Sequence, residues 1–177
     1  MFKKKILILP VLFFILILII FFYLLIIDRN PSEIPSALLN KKAPSFQTNR
    51  LLSDKNFNSE SELIGKVNLV NFFATWCKPC RDEHKYIQKF SSNKKIKVIG
   101  INYKDDPEKA INWLNELGNP YSIVGIDEKG KIAIDWGVYG LPETFIINSK
   151  GLVKYKYIGP ITKKEFKKIN SILKSIF

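Results

Sequence analysis

The sequence has few of the residues on which disulfide-rich, zinc-binding or haem-binding proteins depend. Its 177 residues include two cysteines and one histidine. Two cysteines exclude the framework of several disulfide bonds found in many small exported domains. A structural zinc site usually takes four protein ligands, and this chain offers only Cys77, Cys80 and His84. Covalent haem attachment needs a histidine directly after C-x-x-C, whereas Arg81 follows Cys80 here, so we expect neither a metal nor a cofactor.

Acidic residues are also scarce relative to basic ones. Sixteen Asp and Glu oppose 28 Lys and Arg, which gives a formal net charge of +12. Such an excess favours anionic membrane lipids or acidic partners. The predominance of Lys, together with frequent Asn and Ile, fits an AT-rich coding bias equally well. No basic and aromatic nucleic-acid motif accompanies the charge, so no nucleic-acid partner is expected.

Hydrophobic residues are concentrated near the N-terminus. The 22 residues from Ile6 to Ile27 carry no charge, and as a helix they would extend about 33 Å, enough to cross a hydrocarbon core of about 30 Å. Lys3, Lys4 and Lys5 precede this run, and basic residues favour the cytoplasmic side. We therefore predict a single transmembrane helix with a cytoplasmic N-terminus and an exported domain after it.

A cleaved signal peptide and a buried soluble helix are the alternatives for this segment. A cleaved signal peptide has a shorter apolar region, of about 7–15 residues, and small residues before the cleavage site. Large residues occupy 24–27, although Ser36-Ala37 would permit a later cut. A buried soluble helix fits poorly with so long an apolar run. We predict an uncleaved anchor over residues 1–29, a proline-containing tether over 30–45 and a folded domain over 46–177.

The domain alternates predicted strands and helices. Short runs of β-branched and aromatic residues predict strands, helical spacing of apolar residues predicts helices, and Ser149-Lys150-Gly151 predicts a hairpin turn. The predicted strands are Lys66–Ala74, Ile96–Ile101, Thr144–Asn148 and Leu152–Ile158; the predicted helices are Lys78–Phe90, Pro107–Leu117 and one that begins after Thr162. A βαβ half followed by a ββα half predicts a thioredoxin-like α/β fold, a three-layer sandwich around a mixed sheet. Gln47–Leu63 and the stretch between Tyr121 and Gly137 would be additions to it.

Cys77 and Cys80 form a C-x-x-C motif where the first predicted strand passes into a helix. Unpaired amides and the partial positive charge at a helix N-terminus lower a thiol pKa from about 8.5 toward 3.5–7.5. Because the thiolate attacks disulfides, Cys77 is the predicted nucleophile and Cys80 the resolving cysteine. A purely structural disulfide would close too short a loop to restrict the unfolded chain much.

Side chains near the motif are candidates to accept the proton that Cys80 loses when it attacks. Thioredoxins generally have a buried Asp where this strand has Asn71, and an amide cannot accept the proton that Cys80 must lose. Glu83 and Glu143 are the candidate bases, although Glu83 and its neighbour Asp82 also fit solvated helix charges. His84 fits a surface or capping residue better than a catalyst.

The aromatic residues near the motif are assigned by position. Trp76 is predicted to form part of the surface beside Cys77, with core packing as the alternative. Trp113 and Trp136 are predicted to be core or helix-face residues.

Two longer motifs extend the pattern, Trp76–Cys80 (WCKPC) and Gly137–Phe145 (GVYGLPETF). With Gly100–Asp105 and Gly118–Tyr121, they resemble the membrane-anchored thioredoxin-like proteins of cytochrome c maturation, the CcmG or DsbE family. The resemblance runs from about Gly65 to Gly159.

For the site, this resemblance implies that Pro142 is cis and faces the two cysteines, with a trans proline at a strand start as the alternative. The backbone of Leu141 would pair with an extended substrate peptide. Glu143 would contribute an acidic environment together with Glu83.

The function that the resemblance implies is the reduction of a disulfide in the C-x-x-C-H motif of apocytochrome c, directly or through a CcmH-like thiol partner. Electrons would come from a DsbD-like or CcdA-like membrane protein, and the domain would lie in the periplasm, anchored in a bacterial inner membrane. The alternatives are a membrane-tethered thiol oxidant or isomerase, distinguished by redox potential, and a copper-delivering protein. The last resembles C-x-x-x-C with a distant His, which this chain lacks.

Overall fold

The N-terminal helix forms a unit of its own. The computed structural model describes residues 2–26 and 36–176, and the chain divides into two compact units, of which the first contains helix α1 (Phe2–Ile26). From Leu9 to Ile26 its mean hydropathy is 3.2 and none of these residues is buried. By length and composition this helix fits the predicted single-pass membrane anchor.

The second unit is built on one seven-stranded sheet with the order β2-β1-β5-β4-β3-β6-β7. The strands are β1 (Gln47–Arg50), β2 (Ser53–Asn58), β3 (Val67–Phe73), β4 (Ile96–Tyr103), β5 (Ile123–Asp127), β6 (Glu143–Ile147) and β7 (Val153–Ile158). The helices are α2 (Ser59–Glu62), α3 (Lys78–Ser91), α4 (Pro107–Leu117), α5 (Lys131–Asp135) and α6 (Lys163–Ile176).

Strand directions make the sheet mixed, as predicted. β3, β4 and β5 run parallel, while β6 pairs antiparallel with β3 and β7 antiparallel with β6. All seven residues of β3 are buried, as expected of a central strand with both faces covered. The predicted hairpin is the β6–β7 pair, and the predicted helices correspond to α3, α4 and α6.

Side chains on the two faces of the sheet belong to two separate hydrophobic clusters. Leu69 and Phe73 of β3 lie in the cluster to which α3, α4 and α6 also contribute side chains. Val70 and Phe72 point the other way and join the cluster that contains Trp136 and residues of α5. This alternation follows from the two-residue period of a strand. Helices therefore cover both faces, which confirms the predicted three-layer thioredoxin-like fold.

The additional elements extend the sheet beyond β5. The hairpin of β1 and β2 pairs antiparallel with β5, and the short helices α2 and α5 follow β2 and β5. Before β1, the segment from Leu38 to Ala43 packs on the domain: Asn40 N donates to Val153 O (2.8 Å), and both Leu38 and Ala43 contact the second cluster. This part of the predicted tether is therefore packed on the domain. Residues 30–35 of the predicted tether, and 27–29 at the end of the predicted anchor, lie outside the described residues.

Gly100 on β4 is a position where even one methyl group would disturb the core. A Cβ there would lie 2.9 Å from Phe73 Cε1 and 3.0 Å from Tyr121 Cγ, and those two rings stack with centroids 4.9 Å apart. Overpacking of this kind costs about 1–3 kcal/mol. We expect Gly100→Ala to lower the free energy of unfolding by that amount, measured by denaturant titration of the full chain in detergent. Gly140→Ala is the matched control, because a Cβ there meets nothing within 4 Å; equal losses in both variants would contradict the steric argument.

Candidate active site

The two cysteines lie at the junction of β3 with α3, as the sequence indicated. Cys77 is the N-cap of α3, and the backbone N–H of Cys80 donates to Cys77 Sγ at 3.2 Å. Their sulfurs form a disulfide with an S–S distance of 2.00 Å, and both residues are buried. In the reduced state, the same amide and the N-terminal end of α3 would stabilise a thiolate on Cys77. The geometry therefore suits a reversible dithiol/disulfide couple.

The loop before Cys77 is held by the end of β4. Asp105 accepts hydrogen bonds from Thr75 N (2.6 Å) and Thr75 Oγ1 (2.7 Å), and Trp76 Nε1 donates to Lys104 O (3.2 Å). Trp76 is 60% exposed and lies on the surface next to Cys77. Asp105 belongs to the Gly100–Asp105 motif of the family resemblance, but its role was not predicted. A contact between two loops leaves no local pattern in the sequence.

Glu83 lies one helical turn after Cys80 and is only 1% exposed. The alternative of a solvated helix charge is therefore wrong for Glu83, whereas the neighbouring Asp82 is exposed. One carboxylate oxygen accepts from Asn71 Nδ2 and the other from Ile161 N, each at 2.8 Å. Burial raises the pKa of Glu83 from 4.5 to about 7, and these two hydrogen bonds oppose the shift. The site thus contains a buried acid that is poised to exchange a proton near neutral pH.

Asn71 organises this part of the site. Its Nδ2 donates to Glu83 and to Thr144 Oγ1 (3.1 Å), while its Oδ1 accepts from the hydroxyl of Tyr121 at 2.8 Å. Burial and then the Glu83 carboxylate raise the pKa of Tyr121 well above its ordinary value. The sequence excluded Asn71 as a base but did not identify it as a link between Glu83 and Tyr121.

Because the pKa of Glu83 is raised, we expect the free energy of unfolding to depend on pH in a specific way. The folded protein binds the Glu83 proton more tightly than the unfolded protein does. The stability gained from this protonation is therefore fully present below pH 4.5 and is lost as pH rises to about 7. The shift corresponds to about 3 kcal/mol. We expect Glu83→Gln to remove this slope from the unfolding free energy of the oxidised full chain between pH 4 and 8.

Asp82→Asn is the matched control for this experiment. It removes an exposed carboxylate at the preceding position of the same helix, and it should leave the slope in place. If wild type and Glu83→Gln lose stability in parallel as pH rises, Glu83 does not titrate in this range.

Glu143, the second candidate base, is fully buried and engaged by other groups. Its Oε2 lies 2.9 Å from Lys156 Nζ, and its Oε1 accepts from Tyr139 N (2.7 Å) and Gly140 N (3.2 Å). Lys156 Nζ also donates to Gly137 O at 2.6 Å. The ion pair therefore fastens the 137–140 loop to β7.

Sequence reasoning missed Lys156 for a simple physical reason. Lys154 and Lys156 both belong to β7, yet Lys154, at a shift in strand register, is exposed and Lys156 is 6% exposed. The partners that cover the Lys156 ammonium, Gly137 and Glu143, come from another part of the chain and leave no pattern around Lys156 itself.

The Leu141–Pro142 peptide bond is cis, as the resemblance implied. Pro142 is buried, and Leu141 packs against the hydrophobic cluster that includes both cysteines. Pairing of a substrate peptide with the backbone of Leu141 stays a prediction.

His84 is buried and contacts other parts of the fold. It is 3% exposed, its Nε2 donates to Gly118 O at 2.7 Å, and its ring meets Trp113 edge-on with centroids 4.5 Å apart. Burial lowers its pKa. The surface interpretation of His84 is wrong, since it instead bonds the C-cap of α4. Trp113 and Trp136 are buried, which confirms their assignment to the core.

Comparison with known proteins adds three findings. The Redoxin family model matches residues 38–173. The chain is 42% identical over 134 residues to the thiol:disulfide interchange protein CycY of Rhizobium leguminosarum bv. viciae, covering 76% of this chain and 72% of that one. It is 44% identical over 133 residues to DsbE of Escherichia coli K12, covering 75% and 71%.

A solved structure shows the same architecture. A thiol:disulfide interchange protein of the thioredoxin family from Chlorobium tepidum TLS superposes with a TM-score of 0.61 at 28% identity. The match covers 80% of this chain and 99% of that one.

Proposed function

Because this chain belongs to the redoxin family, among its DsbE and CycY thiol:disulfide interchange proteins, we propose that it reduces apocytochrome c for haem ligation. Its substrate would be the disulfide of a C-x-x-C-H motif, met directly or through a CcmH-like thiol partner. The observation that carries the proposal is a single redox-capable cysteine pair at the start of α3, beside a buried carboxyl group.

The proposed reaction begins on the reduced protein. The Cys77 thiolate attacks one sulfur of the substrate disulfide, so that a mixed disulfide forms and one substrate thiolate leaves and is protonated. Cys80 then loses its proton and attacks Cys77 Sγ, which releases the second substrate sulfur as a thiol. The substrate gains two electrons and two protons, and the protein is left with the Cys77–Cys80 disulfide found in this structure.

Glu83 is the better supported acceptor for the Cys80 proton. Its pKa of about 7 lets a carboxylate take a proton near neutral pH, and it follows Cys80 by one turn of α3. Glu143 is less suited, because Lys156 and two backbone amides already engage its oxygens.

The proposed setting is a bacterial inner membrane. Helix α1 would cross it once with the N-terminus in the cytoplasm, and the redoxin domain would lie in the periplasm. A DsbD-like or CcdA-like membrane thiol protein would return two electrons to the Cys77–Cys80 disulfide after each turnover.

A trapping experiment tests the proposed substrate. Cys80→Ser, expressed as the full chain in a cytochrome-producing bacterium, should accumulate a mixed disulfide through Cys77. We expect apocytochrome c or a CcmH-like protein among the partners released by reductant, and none from a Cys77→Ser/Cys80→Ser control. Recovery of unrelated exported proteins alone would contradict the proposal.

The redox potential distinguishes a reductase from the alternative oxidant or isomerase. A reductase should lie well below the roughly −120 mV of a strong thiol oxidant, so that its reduced form donates electrons readily. Equilibration of the full chain with glutathione buffers measures this value. A potential near −120 mV would favour the oxidant.

A further inference from the structure

One end of the sheet is rich in exposed lysines. Lys66 precedes β3, Lys94 and Lys95 precede β4, and β3 and β4 start side by side because Val67 pairs with Ile96. The β6–β7 turn reaches the same end through the Ile64–Lys150 bridge, and the N-terminal segment through the Lys42–Leu152 bridge. We call this surface the lysine end; its exposed lysines are Lys41, Lys42, Lys66, Lys94, Lys95 and Lys150.

Carboxylates are rare at the lysine end and common at the other. Residues 41–43, 63–66, 93–95 and 148–152 contain no Asp or Glu. Of the two carboxylates nearby, Glu62 is engaged by Lys97 and Arg50, and exposed Glu60 lines the same cleft as Lys42 and Lys150. At the opposite end, where β3 leads to Cys77, the segments that follow β4 and β5 carry Asp105, Asp106, Glu108 and Glu128. That end also carries exposed Lys78, Lys104, Lys129 and Lys163, so acidic and basic side chains are mixed near the disulfide, whereas the lysine end is mainly basic.

The lysine end also exposes apolar side chains. Ile64 is 60% exposed and Leu39 is 37% exposed. Ile64 borders a cleft of about 500 Å³ that Lys42 and Lys150 also line. Exposed aliphatic groups between lysines suit a surface of phosphate headgroups with hydrocarbon just beneath.

The chain enters the domain at this same end. Nine residues, 27–35, separate the last residue of α1 from the first described residue of the domain. Even fully extended, nine residues span at most about 32 Å. If α1 is anchored as proposed, the entry segment with Lys41 and Lys42 cannot move far from the bilayer.

We propose that the lysine end binds the anionic phospholipid headgroups of the membrane that anchors α1. The Cys77–Cys80 pair then faces away from the bilayer, toward partners that approach from the aqueous side. This inference rests on the proposed membrane anchoring and adds a second, electrostatic contact to it.

Lysine labelling of the full chain in lipid nanodiscs tests the contact. One preparation contains phosphatidylcholine only, and the other an equal mixture with phosphatidylglycerol. In the mixed discs we expect acylation of Lys42, Lys66 and Lys150 to fall about threefold or more, with full recovery near 1 M salt, where the Debye length is only about 3 Å. Lys129 and Lys163, which follow β5 and begin α6, should label equally in both.

Two triple variants with the same change in charge provide the control. Lys66→Gln/Lys94→Gln/Lys150→Gln should restore labelling of Lys41 and Lys42 in the anionic discs, whereas Lys104→Gln/Lys129→Gln/Lys163→Gln should not. Equal labelling of Lys41 and Lys42 in the two kinds of disc would overturn the proposal. A chain that does not copurify with the discs would instead refute the anchoring itself.

Discussion

Replacing Cys77 with Ser is expected to lower the rate of disulfide reduction by a factor on the order of 10³ or more, because a serine hydroxyl is barely ionised at neutral pH. The measurement is single-turnover reduction of a C-x-x-C-H peptide disulfide by the pre-reduced full chain. Cys80→Ser should behave differently, since Cys77 can still attack. It should give a rapid first step and then a stable mixed disulfide that is visible by mass spectrometry.

The comparison between these two variants assigns the roles of the cysteines. If Cys77→Ser forms the stable adduct and Cys80→Ser forms none, the nucleophile is Cys80 and the assignment must be reversed. His84→Gln serves as an additional variant, because His84 bonds a backbone carbonyl; it should still form and resolve the mixed disulfide.

Replacing Lys156 with Met is expected to lower the free energy of unfolding by about 3–5 kcal/mol, because it leaves the buried Glu143 carboxylate without its cation. Met keeps much of the aliphatic length of Lys, so the lost charge dominates. Denaturant unfolding of the full chain in detergent measures the change. Hydrogen exchange should also accelerate at the amides of Tyr139 and Gly140, which donate to Glu143.

Lys154→Met is the matched control, on the same strand but exposed. It should cost no more than about 0.5 kcal/mol. The double variant Lys156→Met/Glu143→Gln should recover part of the loss by removing the orphaned charge. If Lys156→Met and Lys154→Met unfold alike, the ion pair does not stabilise the loop.

Much of the fold follows from local patterns in the sequence. The run around β3, the helical spacing of α4 and the turn between β6 and β7 each predict their element within one or two residues. Each of these signals lies within about fifteen residues of chain. The cysteines were also identifiable, because a C-x-x-C motif between a strand and a helix has few other interpretations.

The surroundings of the cysteines were harder to predict, because they depend on contacts between distant segments. The environment of Glu83 is made by Asn71, twelve residues earlier, and by Ile161, 78 residues later. A helix position that looks solvated is therefore buried. The same reason applies to Lys156, whose ammonium contacts Glu143 and Gly137, 13 and 19 residues earlier.

The β1–β2 hairpin, which extends the sheet beyond β5, also determines which strand edges other molecules can reach. Without it, β5 would present an open edge of mostly buried, apolar residues (IVGID), the kind of edge that recruits a second chain into a growing sheet. With it, the outermost strand is β2, whose Asp54 and Lys55 are exposed, and the opposite edge strand, β7, carries exposed Lys154. Charged edge strands discourage edge-to-edge association, so we expect removal of the hairpin to make the protein more prone to aggregation.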